Sequence, residues 1–123
     1  TAARPAKAIL ETIGGSDALI LPTSCDALSI DALVRSLPAF AADYRILLTM
    51  IDPRTSTESD AREALGRYPL FKRSIRRYRA FERASLAGCV VRDVGGDRNA
   101  KLGWNDYAAV GRELWELIRR KTR

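Results

Sequence analysis

The 123-residue chain contains no histidine. That absence excludes Ser-His and Cys-His dyads, histidine-ligated metals and an imidazole switch near neutral pH. Its two cysteines, Cys25 and Cys89, are too few for a disulfide scaffold and, without histidine, for a zinc site. A reducing, cytoplasmic compartment is therefore expected. No apolar run approaches the roughly 20 residues needed to cross a bilayer, and no charged-then-apolar leader opens the chain. Thr1 stands where an initiator Met would, so the chain is expected to be a processed or truncated product. Acidic residues are also in short supply, 15 against 21 Lys and Arg, for a net charge of +6. Such a balance favours a polyanionic partner, with nucleic acid the natural candidate.

What is present suits one soluble domain over residues 1–123, 46% hydrophobic and 29% charged. Pro5 with Ala8, Ile9, Leu10 and Ile13 predicts a short helix closed by Gly14-Gly15. The apolar run Ala18–Leu21 predicts a strand buried on both faces and ended by Pro22. Ser29 is expected to cap a helix bearing Ile30, Leu33, Val34 and Leu37, closed near Pro38 or Asp43. Tyr44–Ile51 reads as a second buried strand. After the turn residues Asp52-Pro53-Arg54-Thr55, Ser56 or Thr57 opens a helix with Ala61, Ala64 and Leu65 as its buried stripe, stopped by Gly66 and Pro69. A third strand from Leu70 to about Ile75, a helix around Phe81–Leu86 ending at Gly88, and an edge strand at Cys89–Val91 are expected. The last helix starts near Asn99 and places Trp104, Tyr107, Val110, Leu114, Trp115 and Ile118 in the core. Strand and helix alternate, which predicts an α/β fold with parallel strands and ligands beyond the strand ends, in the loops opening at Pro22, Asp52 and Ile75.

Neither Gly14-Gly15 nor Gly95-Gly96 carries the trailing Lys-Ser/Thr of a phosphate-binding loop, and both read as helix-end or loop glycines. Ser24 and Cys25 follow a strand, where nucleophiles sit, but have no partner base, so a structural loop is expected. Lys72, Arg73, Arg76, Arg77 and Arg79, interleaved with Tyr78 and Phe81, form a denser basic run than a solvated face needs, which leaves phosphate contact and a solvated face as even alternatives. The terminal Arg119, Arg120, Lys121 and Arg123 fit either nucleic-acid contact or compensation of the helix dipole.

Four blocks, in order, resemble a known family: Leu19-Ile20-Leu21-Pro22-Thr23 with Asp26-Ala27-Leu28-Ser29; Leu47 through Thr55; Ser74-Ile75-Arg76-Arg77; and Phe81-Glu82-Arg83-Ala84. With the ending Gly103-Trp104-Asn105-Asp106-Tyr107, the chain resembles the carboxyl-terminal half of a ParA/Soj-type partition ATPase, the deviant Walker A group that includes MinD. The resemblance implies a P-loop NTPase-like, doubly wound sheet of mostly parallel strands lacking its N-terminal P-loop part. It implies plasmid or chromosome partitioning, ATP and Mg²⁺ in the intact protein, and as partners non-specific DNA, a ParB-type protein and a second copy, with no membrane. Without the Walker A loop the chain alone is expected to bind nucleotide weakly and hydrolyse none.

Carried over by position, the resemblance places Thr49, Met50, Pro53 and Arg76 on the nucleotide-base side. Thr49 stands where relatives often have Asn, and Arg76 where many have Pro. Arg54 matches a DNA-contacting arginine, a second falls at Ala80 with Arg79 beside it, and Arg77, Lys72 and Arg73 complete the DNA-binding set. A sheet cut at mid-chain is expected to expose apolar surface and self-associate or dock on its other half. The alternatives are an autonomous non-catalytic DNA-binding or adaptor module and a MinD-like membrane-associated ATPase fragment.

Overall fold

A computed structural model describes residues 7–40 and 42–121; the expected cap at Pro5 and the final Arg123 lie outside them. Helix α1, Lys7–Gly14, leads into strand β1, Leu19–Thr23. Helix α2, Ala27–Ser36, and a 3₁₀ turn at Leu37–Ala39 carry the chain to strand β2, Tyr44–Leu48. Helices α3, Thr57–Ala64, α4, Arg79–Ala87, and α5, Arg98–Lys121, follow. The α/β class expected from the alternation is what the chain adopts: β1 and β2 pair in parallel, with Leu21 opposite Ile46, in a sheet consistent with part of a doubly wound fold.

Side-chain alternation along the strands sends residues to both faces of this sheet. Leu21, Ile46 and Leu48 meet Ile30, Leu33 and Val34 of α2 and Ala61 of α3, with Leu65 just beyond it, on one face. Leu47 and the half-buried Ile20 meet Phe71, Ile75 and, from α5, Val110, Leu114 and Leu117 on the other. Burial on both faces is why the strands read as continuous apolar runs. A third cluster joins Ala80 and Ala84 of α4 to Val91 and Ala100, with Trp104 against it.

Several local expectations are corrected. Pro22 does not end β1 but lies within it. Leu19 N donates to Asp43 O, and Thr23 O accepts from Thr49 N. By alternation the backbone groups of residues 20 and 22 therefore face away from β2, so the N–H that proline lacks is one the ladder does not use. Asp26, not Ser29, caps α2, accepting from Ser29 N at 3.0 Å. Strand β2 stops at Leu48 because Met50 turns to φ 56°, outside the extended region. Ala64 is exposed, and α3 buries Ala61, followed by the fully buried Leu65.

The segment 70–76 is no continuous third strand. It joins the sheet at two parallel bridges, Leu70 to Ile46 and Arg76 to Ile51, and through the Ile75 amide, which donates to Leu48 O at 3.0 Å; both backbone groups of Lys72 and the Arg73 amide are taken by side chains instead. Cys89–Val91 forms no edge strand, and Val91–Asp93 is a 3₁₀ turn. The expected aromatic stripe of α5 splits: Val110 is buried, whereas Tyr107 is 49% and Trp115 60% exposed. The helix turns its small residues inward instead, and Gly103 lets it approach α4.

A Cβ on Gly103 would lie 2.8 Å from Phe81 Cζ, whereas one on Gly111 would meet nothing within 4 Å. Overpacking of this kind costs about 1–3 kcal/mol, against roughly 1 kcal/mol gained when alanine replaces a helical glycine. Gly103→Ala is expected to lower the thermal midpoint and Gly111→Ala to raise it. Equal shifts for the two variants would contradict the close approach of α4 and α5.

Candidate functional site

Two loops open at the carboxyl ends of β1 and β2, each fixed by neighbouring polar groups, and a third, 71–77, is tied to the second by the bridge between Ile51 and Arg76. After β1, the Asp26 carboxylate gathers Ser24 Oγ at 2.6 Å and Ser29 Oγ at 2.8 Å as well as the Ser29 amide. The Ser24 hydroxyl, with the two Ser29 groups, holds the Asp26 carboxyl down at about 2. Because that value lies below the 3.8 of a free carboxyl, the cap's stabilisation is full above about pH 4 and is lost as pH falls toward 2. The difference in thermal midpoint between Asp26→Ala and the parent is therefore expected to shrink from pH 6 to pH 2; a constant difference would count against ionic capping. Burial raises the neighbouring Cys25 thiol, with Glu58 adding to the effect. The expected structural role of this loop fits that environment better than nucleophilic chemistry does.

After β2, Thr49 donates from its hydroxyl to Thr23 O at 3.2 Å, and its amide reaches the same oxygen at 2.9 Å. Met50 is exposed. The turn that follows is fixed by Asp52, which accepts from the Arg54 amide at 3.0 Å and from its guanidinium at 3.0 and 3.1 Å. Those guanidinium bonds, then the amide bond, hold the Asp52 carboxyl below its ordinary range, and Arg77 adds a smaller pull. The Arg54 side chain is 87% exposed, so its pair with Asp52 is screened and weak.

The basic loop 71–77 is clamped from two sides. From α3, Arg62 donates to Phe71 O at 3.0 Å and Lys72 O at 2.9 Å, while Glu58 accepts from Ser74 Oγ at 2.8 Å and pairs with Arg62. From α5, Glu113 accepts the amides of Lys72 at 2.8 Å and Arg73 at 3.0 Å. Two turns earlier on the same face of α5, Asp106 accepts the Arg76 amide at 2.9 Å and its guanidinium at 2.8 Å. With the Phe71 carbonyl, both backbone groups of Lys72 and the Arg73 amide held by a guanidinium and a carboxylate, this stretch needs no strand partner, and pairing resumes where Ile75 N donates to Leu48 O. The side chains of Lys72, Arg73 and Arg77 are left exposed.

The residues expected to face a nucleotide base divide accordingly. Pro53 and Arg76 line one polar cavity of about 610 Å³ with Ile51, Ser74 and Arg112, whereas Thr49 and Met50 sit on the strand end leading toward it. Arg76 is held by Asp106, which raises its guanidinium's pKa, and lies 5.3 Å from the ring of Tyr78. Of the residues expected to contact DNA, Lys72, Arg73 and Arg77 share the clamped loop, Arg79 begins α4, and Arg54 lies in the preceding turn. Sequence reasoning missed Asp106 and Glu113 as the groups that shape this loop. Their spacing of seven residues on the inward side of an amphipathic helix was the available signal.

No family model matches the chain. A curated protein does: Maintenance of carboxysome distribution protein A of Gloeobacter kilaueensis is 33% identical over 114 residues, covering 87% of this chain and 52% of that protein. The chain thus spans about half the length of this relative. The match corrects the resemblance drawn above, since it runs to a carboxysome-distribution protein and not to a plasmid or chromosome partition ATPase. It gives no support to the independent non-catalytic module or the MinD-like fragment either. The four blocks lie in strand ends, turns and caps, which record architecture and not function.

Proposed function

We propose that this chain is part of a ParA-like ATPase that distributes carboxysomes, and that it supplies the base-side loops for ATP and a basic surface for DNA. The observation that carries the reading is the 33% identity over 114 residues to a protein named for carboxysome distribution. Thr49, Met50, Pro53 and Arg76 are the residues proposed to face the base. Of these, Pro53 and Arg76 fit that role in lining one open polar cavity. None of the 123 residues forms a Walker loop, so contacts to the phosphates and Mg²⁺ would come from other parts of the protein. When bound, the nucleotide supplies the free energy of phosphoryl transfer. This chain's contribution would be to bind and orient the base, with Asp106 keeping the Arg76 guanidinium in place.

The test is expression from the natural reading frame in a carboxysome-bearing cell that lacks its own distribution protein. Evenly spaced carboxysomes are expected; clusters, with the protein present at normal levels, would overturn the proposal. The DNA surface is tested separately. Each phosphate contact contributes about one unit to the slope of log affinity against log salt. Arg54→Ala is therefore expected to flatten that slope by about one unit, and an unchanged slope would remove Arg54 from the surface.

A further inference from the structure

The loop between the 3₁₀ turn and α5 closes against the start of α4 to form an open bowl of about 390 Å³, lined by Arg77, Arg79, Arg83, Asp97, Arg98 and Asn99. Four arginines and one aspartate thus line it. Asp97 is already engaged: it lies 3.4 Å from Arg83 and accepts from the Asn99 amide at 2.9 Å. Among the described residues no carboxylate lies within ion-pairing distance of Arg77, Arg79 or Arg98, although Arg77 acts on Asp52 at longer range. Arginines gathered on one concave surface with a single aspartate among them make a positive field that attracts an anion. The bowl also lies at the start of two helices. Tyr78 gives α4 no side-chain cap, so the positive end of that helix adds to the field of the arginines.

We propose that this bowl binds the dianionic phosphate group of a small molecule. Guanidinium forks match phosphoryl oxygens in pairs, and their bonds to a doubly charged group are the stronger kind. The volume falls at the lower end of the range for small-ligand pockets. A concavity lined by arginines suits a compact terminal phosphate better than the singly charged, extended backbone of a duplex. Arg77 and Arg79 belong also to the DNA surface proposed above, but Arg83, Arg98 and Asn99 do not, so the two readings fail separately.

Calorimetric titration of the full protein with inorganic phosphate, ethyl phosphate and dimethyl phosphate tests the site. Inorganic and ethyl phosphate are expected to bind, and dimethyl phosphate, a monoanionic diester, at least tenfold more weakly. Binding of inorganic but not ethyl phosphate would identify free phosphate as the ligand; binding of both, a phosphorylated small molecule. Arg98→Gln is expected to weaken inorganic phosphate about tenfold while leaving the salt slope for duplex DNA unchanged. Asp97→Asn, which removes the one negative charge and keeps an oxygen for the Asn99 amide, is expected to tighten phosphate at least threefold. That gain cannot come from misfolding. Equal binding of the diester, or no effect of either substitution, would overturn the site, as would a loss of DNA but not phosphate affinity in Arg98→Gln.

Discussion

Phe71→Ala is expected to destabilise the protein by about 3–5 kcal/mol, the cost of emptying a fully buried aromatic site. The ring is 1% exposed and fills the space between Leu47, Ile75 and Val110, so it joins the sheet to α5. Its backbone is equally committed: Phe71 N donates to Ile46 O at 2.8 Å and its carbonyl accepts from Arg62. Collapse around a cavity is therefore resisted from both sides, which puts the cost toward the upper end of that range. Small domains are stable by only about 5–15 kcal/mol, so much of the molecule's stability is at stake. Urea unfolding followed by circular dichroism measures the loss; a change below about 1 kcal/mol would mean that the ring does not hold α5 to the sheet.

Asp106→Ala is expected to cost about 2 kcal/mol and to loosen the basic loop. The Asp106 side chain is 10% exposed, and its removal leaves a half-buried guanidinium and the Arg76 amide without their acceptor. Hydrogen bonds involving charged groups contribute about 1.5–3 kcal/mol, and the partial exposure of Arg76 lowers the ionic share. Because the two residues form one unit, the cost of Asp106→Ala should largely vanish in an Arg76→Ala background. A double-mutant cycle with a coupling under about 0.5 kcal/mol would show instead that they act independently. Faster amide exchange at Lys72 and Arg73 is expected in the single variant, since Glu113 alone would then hold the loop to α5.

The parallel arrangement of β1 and β2 was legible because both strands are buried on two faces and therefore apolar without interruption. So was the end of α4, where Gly88 adopts φ 67°. The missing third strand was not legible. Leu70, Phe71 and Ile75 have a strand's composition, and only the distant Arg62 and Glu113 divert the backbone groups between them. The aromatic stripe failed at Tyr107 and Trp115 for a related reason: helical spacing puts them on the same side as Trp104, which does pack in the core, but Gly103 and Val110 define the side that meets the protein. The basic loop stood out in the sequence, whereas the bowl needed Arg83 and Arg98 from different helices. Function was beyond reach, because the recognisable blocks build a scaffold that hosts different tasks.

Pro22 limits what can pair with β1 on the side away from β2. The strand Leu19–Thr23 is the outer strand of the described sheet, and an apolar outer strand is an invitation to templated stacking by other chains. On the side facing away from β2, proline removes one of the two amide donors that residues 20 and 22 would otherwise present. An incoming strand can engage Ile20 but finds no donor one repeat further on, so its ladder fails to propagate. The same residue leaves the pairing with β2 intact, and the chain keeps its buried sheet while denying strangers a continuous seam.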